Sequence, residues 1–557
     1  MEQNAQIIIV MVVYLSILIL WGIFQGRKVK SGTDYSIAGR RLPGWVAALS
    51  ERATGESSWA LLGLPGAAYA MGLTEIWTAL GCVAGIITAW VLLAWRLRDE
   101  AEKYNVTTFT GYISAKHGDA GKALKLASSL AIVFFFFFYI GAQFLGGGKT
   151  LHTLFGLKPS AGILITALII VPYTIYGGFR SVVYTDVIQA IIMIVTLVAG
   201  PVAGLIYISN GNGEFASGIS EALIKSGSTY TSLTGSAKGF GAGILIAGGF
   251  SWFFGYLGGQ PQLSMRFMAI KDIKQAVKAR NVGIIWTLIA YIGALMLGWI
   301  GIAIFGPAGL SDPEYVMPQV IMKLFPPVIA SILITGAIAA MISTADSLLI
   351  LSATELSQHL GGGKNHSREA GKEQKILGRS RIITASVAMI ALALSYISPS
   401  KLIFTIVSYV WAAIGCTFSV VILFTLFSKR YHGRAAMVTI IAGILFTIFW
   451  ISGGFEQDYK ITPEKIGFLR EQEVISGETA ENLMALSGER YQSLAKLERT
   501  IKENIPADTG ATIVSTISSS FVRKGVPARL ATFVFTLIAA VVSTFLMKPG
   551  NPRTSSR

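Results

Sequence analysis

Residues Leu49–Tyr69 read LSERATGESSWALLGLPGAAY, and no other stretch limits the fold so sharply. An apolar segment long enough to cross a bilayer holds Glu51, Arg52, Thr54, Gly55, Glu56, Ser57 and Ser58 in its middle. In hydrocarbon every backbone N–H and C=O needs a partner. A polar, glycine-containing interruption is therefore tolerated only where protein or water surrounds it. Ionisable residues at that depth are expensive and mark ion or substrate paths. The apolar runs on either side are too short to span separately, which argues against two short helices joined by an ordinary loop. The stretch reads as a broken helix with its gap at the membrane midplane, a transporter arrangement.

Composition supports that reading. Only 14% of the 557 residues are charged and 53% are hydrophobic, against about a quarter charged in soluble domains. The chain is a polytopic membrane protein. Its net charge of +16 sits in short loops between apolar runs, which topology explains without nucleic acid as a partner. Cys82 and Cys416 fall within predicted spans, without metal-binding spacing, and read as packing residues. The first apolar run lacks a positive leader and a cleavage site and is expected to be retained as a span.

Hydropathy predicts thirteen spans: 5–25, 42–70, 73–97, 124–154, 162–175, 183–208, 240–263, 282–305, 328–351, 382–397, 402–427, 435–451 and 528–547. Arg27, Lys28, Lys30, Arg40 and Arg41 follow the first of them, and a basic loop is expected over Arg266–Arg280. Positive loops face the cytoplasm, which places the N-terminus outside and the C-terminus inside. Residues 361–381, rich in Gly, Lys and Arg, read as a flexible cytoplasmic segment.

Setting aside residues 1–41, the next ten spans divide into two sets of five, 42–208 and 240–427, joined by an outer loop at 209–239. Each set opens on an interrupted segment, around Gly55 and around Gly258-Gly259-Gln260-Pro261. Paired interruptions point to an inverted repeat with its site at the midplane. An additional span (428–452), an extracytoplasmic polar insertion (453–526) and a last span with a tail (527–557) follow. Within the insertion Leu483, Leu486, Leu494 and Leu497 are spaced for a shared helical face. The insertion reads as a solvated cap, or alternatively as a partner-binding hairpin.

The chemistry concentrates in GAIAAMISTADSLLILSATE. Ala340, Ser343, Thr344 and Ser347 share one helix face. Hydroxyls and free carbonyls suit a hard monovalent cation such as Na⁺, although Ser and Thr in membrane helices often only back-bond to their own helix. Asp186 and Asp346 are two further intramembrane carboxylates, open to pairing with an arginine or a helix end. Glu51 and Arg52 are open to pairing with each other. No nucleophile–base pair, metal spacing or phosphate loop suggests an enzyme.

Taken together, DYSIAGRRLPG, LSERATGESSWALLGLPGAAY, YGGFRSVVYTD, GQPQLSMRFMA and AAMISTADSLL resemble the sodium:solute symporter family, most closely its sodium/proline branch. The resemblance implies an all-α membrane protein of LeuT type, with inverted five-helix repeats and two broken helices. It implies Na⁺-coupled solute uptake by alternating access in the cell membrane. It places Na⁺ among the carbonyls of Ala53, Glu56 and Ala340 and the hydroxyls of Ser343 and Thr344. It places solute against Ser57, Tyr139, Gln143, Trp252, Tyr256 and Pro261, with Arg40 at the inner gate. A second Na⁺ is expected among Asp186, Ser343, Asp346 and Ser347, the alternatives being a shared proton or an arginine pair.

Three departures stand out. Gly55 occupies the position of an Asp in the proline branch, with Glu56 next to it. GYLGGQP carries one more Gly than that branch has, which leaves the register of Trp252 and Tyr256 open. The 453–526 insertion has no counterpart in compact members. Proline is the leading solute, with a pantothenate-like acid, a sugar or a urea-like solute as alternatives. A transporter-fold solute sensor is a further one, disfavoured because no signalling domain is read after Met547.

Overall fold

The computed structural model describes residues 2–29, 36–118, 120–360, 370–398, 402–456, 461, 463–471, 475–487, 489, 491, 494–504 and 525–549. Among them the secondary structure is helical apart from three bridge residues, Leu42, Ile270 and Tyr491, the first two paired with each other. Long uninterrupted apolar runs leave the backbone no partner in lipid except itself, and helices follow. Large apolar residues such as Leu20, Leu168, Ile206 and Leu445 remain exposed on the outside of the bundle, as a lipid-facing surface requires. The flexible segment expected at 361–381 lies, over 361–369, outside the described residues.

Ten of the described helices are long and apolar enough to cross a membrane, or eleven if the bent pair Phe240–Tyr256 and Pro261–Ala269 is one span. The expectation of thirteen is not reached by that measure, for two reasons. Gly44–Lys103 forms one continuous apolar stretch, turned inside by Gly72 at φ 62°. Pro159–Pro172 is too short to qualify; it is set off from the following helix by Gly178, at φ 62° and ψ 178°.

The first broken helix runs over Gly44–Ser58, a π-bulged turn at Trp59–Gly63, and Leu64–Met71. The second runs over Phe240–Phe250, Trp252–Tyr256 and Pro261–Ala269. Their ends are stitched together. Leu42 N–H donates to the Ala269 carbonyl at 3.2 Å, and Lys271 N–H donates to the Leu42 carbonyl at 3.1 Å. Between them passes Pro327–Leu360, the helix that carries the Ser and Thr residues, packed against both Gly44–Ser58 and Pro159–Tyr207.

The helices Gly121–Phe155 and Pro327–Leu360 carry matched polar residues near their C-terminal ends. Lys149 stands as far from Gly121 as Glu355 stands from Pro327. Lys149 bonds the second residue of the short helix Pro313–Tyr315, and Glu355 bonds the second residue of Phe109–Lys116. That correspondence is what an inverted repeat produces.

The polar insertion contributes Pro463–Glu471, Gly477–Leu486 and Leu494–Asn504. Leu483 and Leu497 join Ile461, Ile466 and Ile501 in a small separate core that also takes in Ala308 of an interhelical loop, with Leu486 at its edge. The surroundings of the Leu494 side chain lie outside the described residues.

Candidate functional site

Ser57 is where the first helix breaks, at φ 47° and ψ −164°. A non-glycine residue in that region stores about 1–3 kcal/mol of strain and persists only where its surroundings dictate it. Four of the backbone groups around the break find partners. Gln143 Oε1 accepts from Ser58 N–H at 3.1 Å, and Ser57 Oγ accepts from Trp59 N–H at 3.2 Å. The Thr54 carbonyl takes the Thr344 hydroxyl at 3.0 Å, and the Gly55 carbonyl takes Trp59 Nε1 at 3.2 Å. The break is thus held by its own Ser57 and Trp59 side chains and by side chains from two other helices.

Ala53, Glu56, Ala340, Ser343 and Thr344 are all fully buried, and the two helices that carry them pack together. Thr344 reaches the residue next to Ala53. Ser343 donates to Asp186 Oδ1 at 2.6 Å. A hydroxyl that donates its proton to a protein oxygen still presents two lone pairs to a cation. The donor set therefore fits Na⁺. Among the described residues no cluster of His, Cys, Asp and Glu suggests a transition metal.

The acidic residues are arranged differently from the second-ion expectation. Asp186, Ser343 and Ser347 come together, but the cation among them is Arg266. Its guanidinium donates to Asp186 Oδ2 at 3.1 Å, Ser347 Oγ at 2.5 Å, Thr54 Oγ1 at 2.9 Å and Ser50 Oγ at 3.1 Å. Asp346 is set apart on another face, where its Oδ1 accepts from Thr174 Oγ1 at 2.6 Å. One helical step of about 100° separates Asp346 from Ser347, and that step is enough to divide the set. Arg266 itself is 1% exposed, not part of a basic loop. The signal was available in PQLSMRFMA, where a lone Arg sits inside an apolar run five residues after Pro261.

Arg52 forms a second buried ion cluster. It pairs with Glu51 and with Glu56 Oε1, the latter at 2.7 Å. The Glu56 side chain is thereby turned to Arg52. A Cβ on Gly55 would lie 3.4 Å from Arg52 Nη2 and from Leu263 Cδ2, so the position admits a methyl at close contact.

An aromatic box adjoins the break. Trp59 and Trp252 stack at 4.4 Å with 8° between their planes, and Trp411 stands 5.5 Å from Trp252. Tyr256 lies 4.3 Å from Trp411 and meets the Tyr291 hydroxyl at 2.9 Å. Tyr139 Oη donates to Ser57 Oγ at 3.4 Å and accepts from Trp411 Nε1 at 3.3 Å. Ser57, Tyr139, Gln143, Trp252, Tyr256 and Pro261 are all buried, and Trp411 links Tyr139, Trp252 and Tyr256. The sequence reasoning missed Trp59, Trp411 and Tyr291. The extra glycine is accommodated locally: Gly258 turns at φ 79°, and Gly259 packs against Gly415 and Ser419 so closely that its Cβ would lie 2.6 Å from Ser419 Oγ. Trp252 and Tyr256 both stand beside Trp411.

Buried polar clusters lie on either side of this region. At the end the charge pattern assigns to the outside, Lys149 Nζ bonds Asp312 Oδ2 at 2.6 Å and Glu314 Oε2 at 2.5 Å. Glu314 also accepts from the first amides of Ile403–Val410, Ile403 N–H at 3.0 Å and Phe404 N–H at 2.9 Å. At the other end Glu355 accepts from Thr110 and from Ser129 Oγ at 2.9 Å. A cleft there is lined by Ser36, Thr108, Phe179, Arg266, Ser347 and Glu355. Arg40, half-buried, donates to the Val106 carbonyl next to Phe109–Lys116.

The sodium:solute symporter family profile matches residues 35–443. The chain belongs to that family. The symporter is 33% identical to the high-affinity proline transporter PutP of Bacillus subtilis, over 78% of this chain and 90% of that protein. It is 34% identical to the sodium/proline symporter of Staphylococcus aureus, over 81% of this chain and 87% of that one. In three dimensions it matches a substrate-bound, outward-open Na⁺-coupled sialic acid symporter at a TM-score of 0.66. The two share 19% identity, over 98% of this chain and 99% of the other. That likeness fixes the LeuT-type fold. The protein is a multi-pass membrane symporter driven by sodium.

Proposed function

We propose that the symporter carries proline or a closely related amino acid inward with Na⁺, with its N-terminus outside and its C-terminus cytoplasmic. The observation that carries the solute is the match to proline transporters along most of the chain. The site's chemistry agrees with it. A small zwitterion with an apolar ring suits an aromatic box whose floor is a broken helix.

Na⁺ binds between the carbonyls of Ala53, Glu56 and Ala340 and the hydroxyls of Ser343 and Thr344. Holding it there fixes the break in the first helix against Pro327–Leu360. The solute, held by Ser57, Tyr139, Gln143, Trp252, Tyr256 and Pro261, reads that fixed geometry, which couples the two. Release follows the cleft from Arg266 and Ser347 toward Glu355, with Arg40 at its mouth. Arg266 supplies the positive charge in the place expected for a second Na⁺, so one Na⁺ accompanies each solute.

A different solute is favoured by one feature, the absence of an acidic side chain at Gly55 while Glu56 is tied to Arg52. Uptake into proteoliposomes, with a labelled panel and Na⁺ or choline outside, separates the two. Proline accumulation that needs Na⁺ supports the proposal. Na⁺-dependent uptake of another solute, with proline ignored, replaces the substrate. Equal uptake in choline removes the coupling.

A further inference from the structure

The last span, Ala528–Leu546, lies outside the residues matched by the family profile and outside both repeats. Its second residue nonetheless reaches the aromatic box. Arg529 is 1% exposed, and its guanidinium carbon lies 4.3 Å from the centre of the Trp252 ring. Trp59 already covers one face of Trp252 by parallel stacking at 4.4 Å. A second group so close to the ring cannot share that face, so the guanidinium lies on the other.

The fork is positioned by the very segments that shape the box. Nε donates to Ser251 Oγ at 3.2 Å, Nη1 donates to Ser408 Oγ, and Nη2 donates to the Gly248 carbonyl at 3.4 Å. Gly248 and Ser251 precede Trp252 in the second broken helix, and Ser408 precedes Trp411. The helix that brings Arg529 in is itself fixed. Glu456 Oε2 accepts from Ala528 N–H at 3.0 Å, and Trp450 Nε1 donates to the Val526 carbonyl at 3.0 Å. Pro527 packs on Gly248 so tightly that a Cβ there would lie 2.5 Å from its Cγ.

Trp252 needs such a clamp. It opens a helix of only five residues, Trp252–Tyr256, that runs into the Gly258 turn, and its Nε1 is buried without a hydrogen-bond partner. An indole packed by rings and a guanidinium, with no bond to its nitrogen, keeps its N–H available to an acceptor in the box, such as a solute carboxylate.

We propose that Arg529 is a specificity-determining positioning residue, which holds Trp252 against Trp59 so that the indole N–H faces the solute carboxylate. This rests on the reading that Trp252 lines the solute site. The planar fork spans two hydroxyls and a ring face at once, which a lysine cannot do, and a desolvated cation–π contact adds to it.

The test uses the full chain in proteoliposomes and in detergent. Arg529→Gln is expected to raise the half-saturating proline concentration roughly tenfold, with half-activation by Na⁺ and the maximal rate within about twofold of wild type. Arg529→Lys recovers only part of the loss, and Ser408→Ala shows a smaller shift in the same direction. On a Trp252→Ala background Arg529→Gln adds nothing, because its effect passes through that ring. Effects that add in full, or an unchanged half-saturating concentration, overturn the proposal. A solute-free readout keeps it separate from the substrate assignment. The exciton band of the Trp59–Trp252 stack in circular dichroism is expected to weaken in Arg529→Gln as it does in Trp252→Ala. A band that survives Arg529→Gln unchanged overturns the clamp even if wild type ignores proline.

Discussion

Replacing Glu314 with Gln keeps the size of the side chain and removes its charge. In the structure Glu314 is fully buried, bonded to Lys149 and to the amides of Ile403 and Phe404. Removing one partner of a buried pair costs about 3–5 kcal/mol. Lys149 keeps Asp312 at 2.6 Å, which favours the lower end, and a Gln oxygen still accepts one of the two amides. These contacts join Pro313–Tyr315 to the start of Ile403–Val410, and under the proposed topology they form the outer closure. A loss of about 3 kcal/mol there shifts the closed-to-open ratio roughly a hundredfold toward open. Ile403→Cys, buried just under the carboxylate, reports the shift through its labelling rate with a membrane-impermeant maleimide. Cys82 and Cys416 are buried and give the background. Labelling is expected to rise at least tenfold when Glu314→Gln is added. An equal rate with and without it would refute the assignment of this cluster as the outer closure.

Thr344→Ala removes one of about five oxygens proposed for Na⁺ and is expected to raise half-activating Na⁺ five- to hundredfold, for a loss of about 1–3 kcal/mol; insertion into the membrane, read by surface labelling, stays normal. Arg266→Gln leaves Asp186 buried without its cation and is expected to lower thermal stability in detergent far more than Arg266→Gln combined with Asp186→Asn does, since the pair is worse broken than absent. Gly259→Ala forces a methyl into Ser419 and the Gly415 backbone and is expected to abolish solute uptake at near-normal expression. Normal half-saturation in that variant would mean the second break does not set the position of Trp252.

The sequence by itself determined the class of protein, the two interruptions and the face of Ser343, Thr344 and Ser347. Those follow from local rules: a backbone in lipid must be helical, a break must be shielded, and side chains three or four residues apart share a face. It also showed that Glu51, Arg52, Asp186 and Asp346 had to find partners, because charge in hydrocarbon is expensive. Which partners they find was decided only by the tertiary structure. Arg266 looked like the start of a basic loop, yet the short helix Pro261–Ala269 turns it inward to Asp186, some eighty residues away along the chain. Nothing in the sequence singles out Trp59 and Trp411; folding sets both beside Trp252. Arg529 sits in a span that no repeat pattern ties to the site, and only packing brings it over the same ring. Periodicity reports which face a residue occupies. It does not report which helix meets that face, because helix–helix contacts are set by shape across the whole bundle.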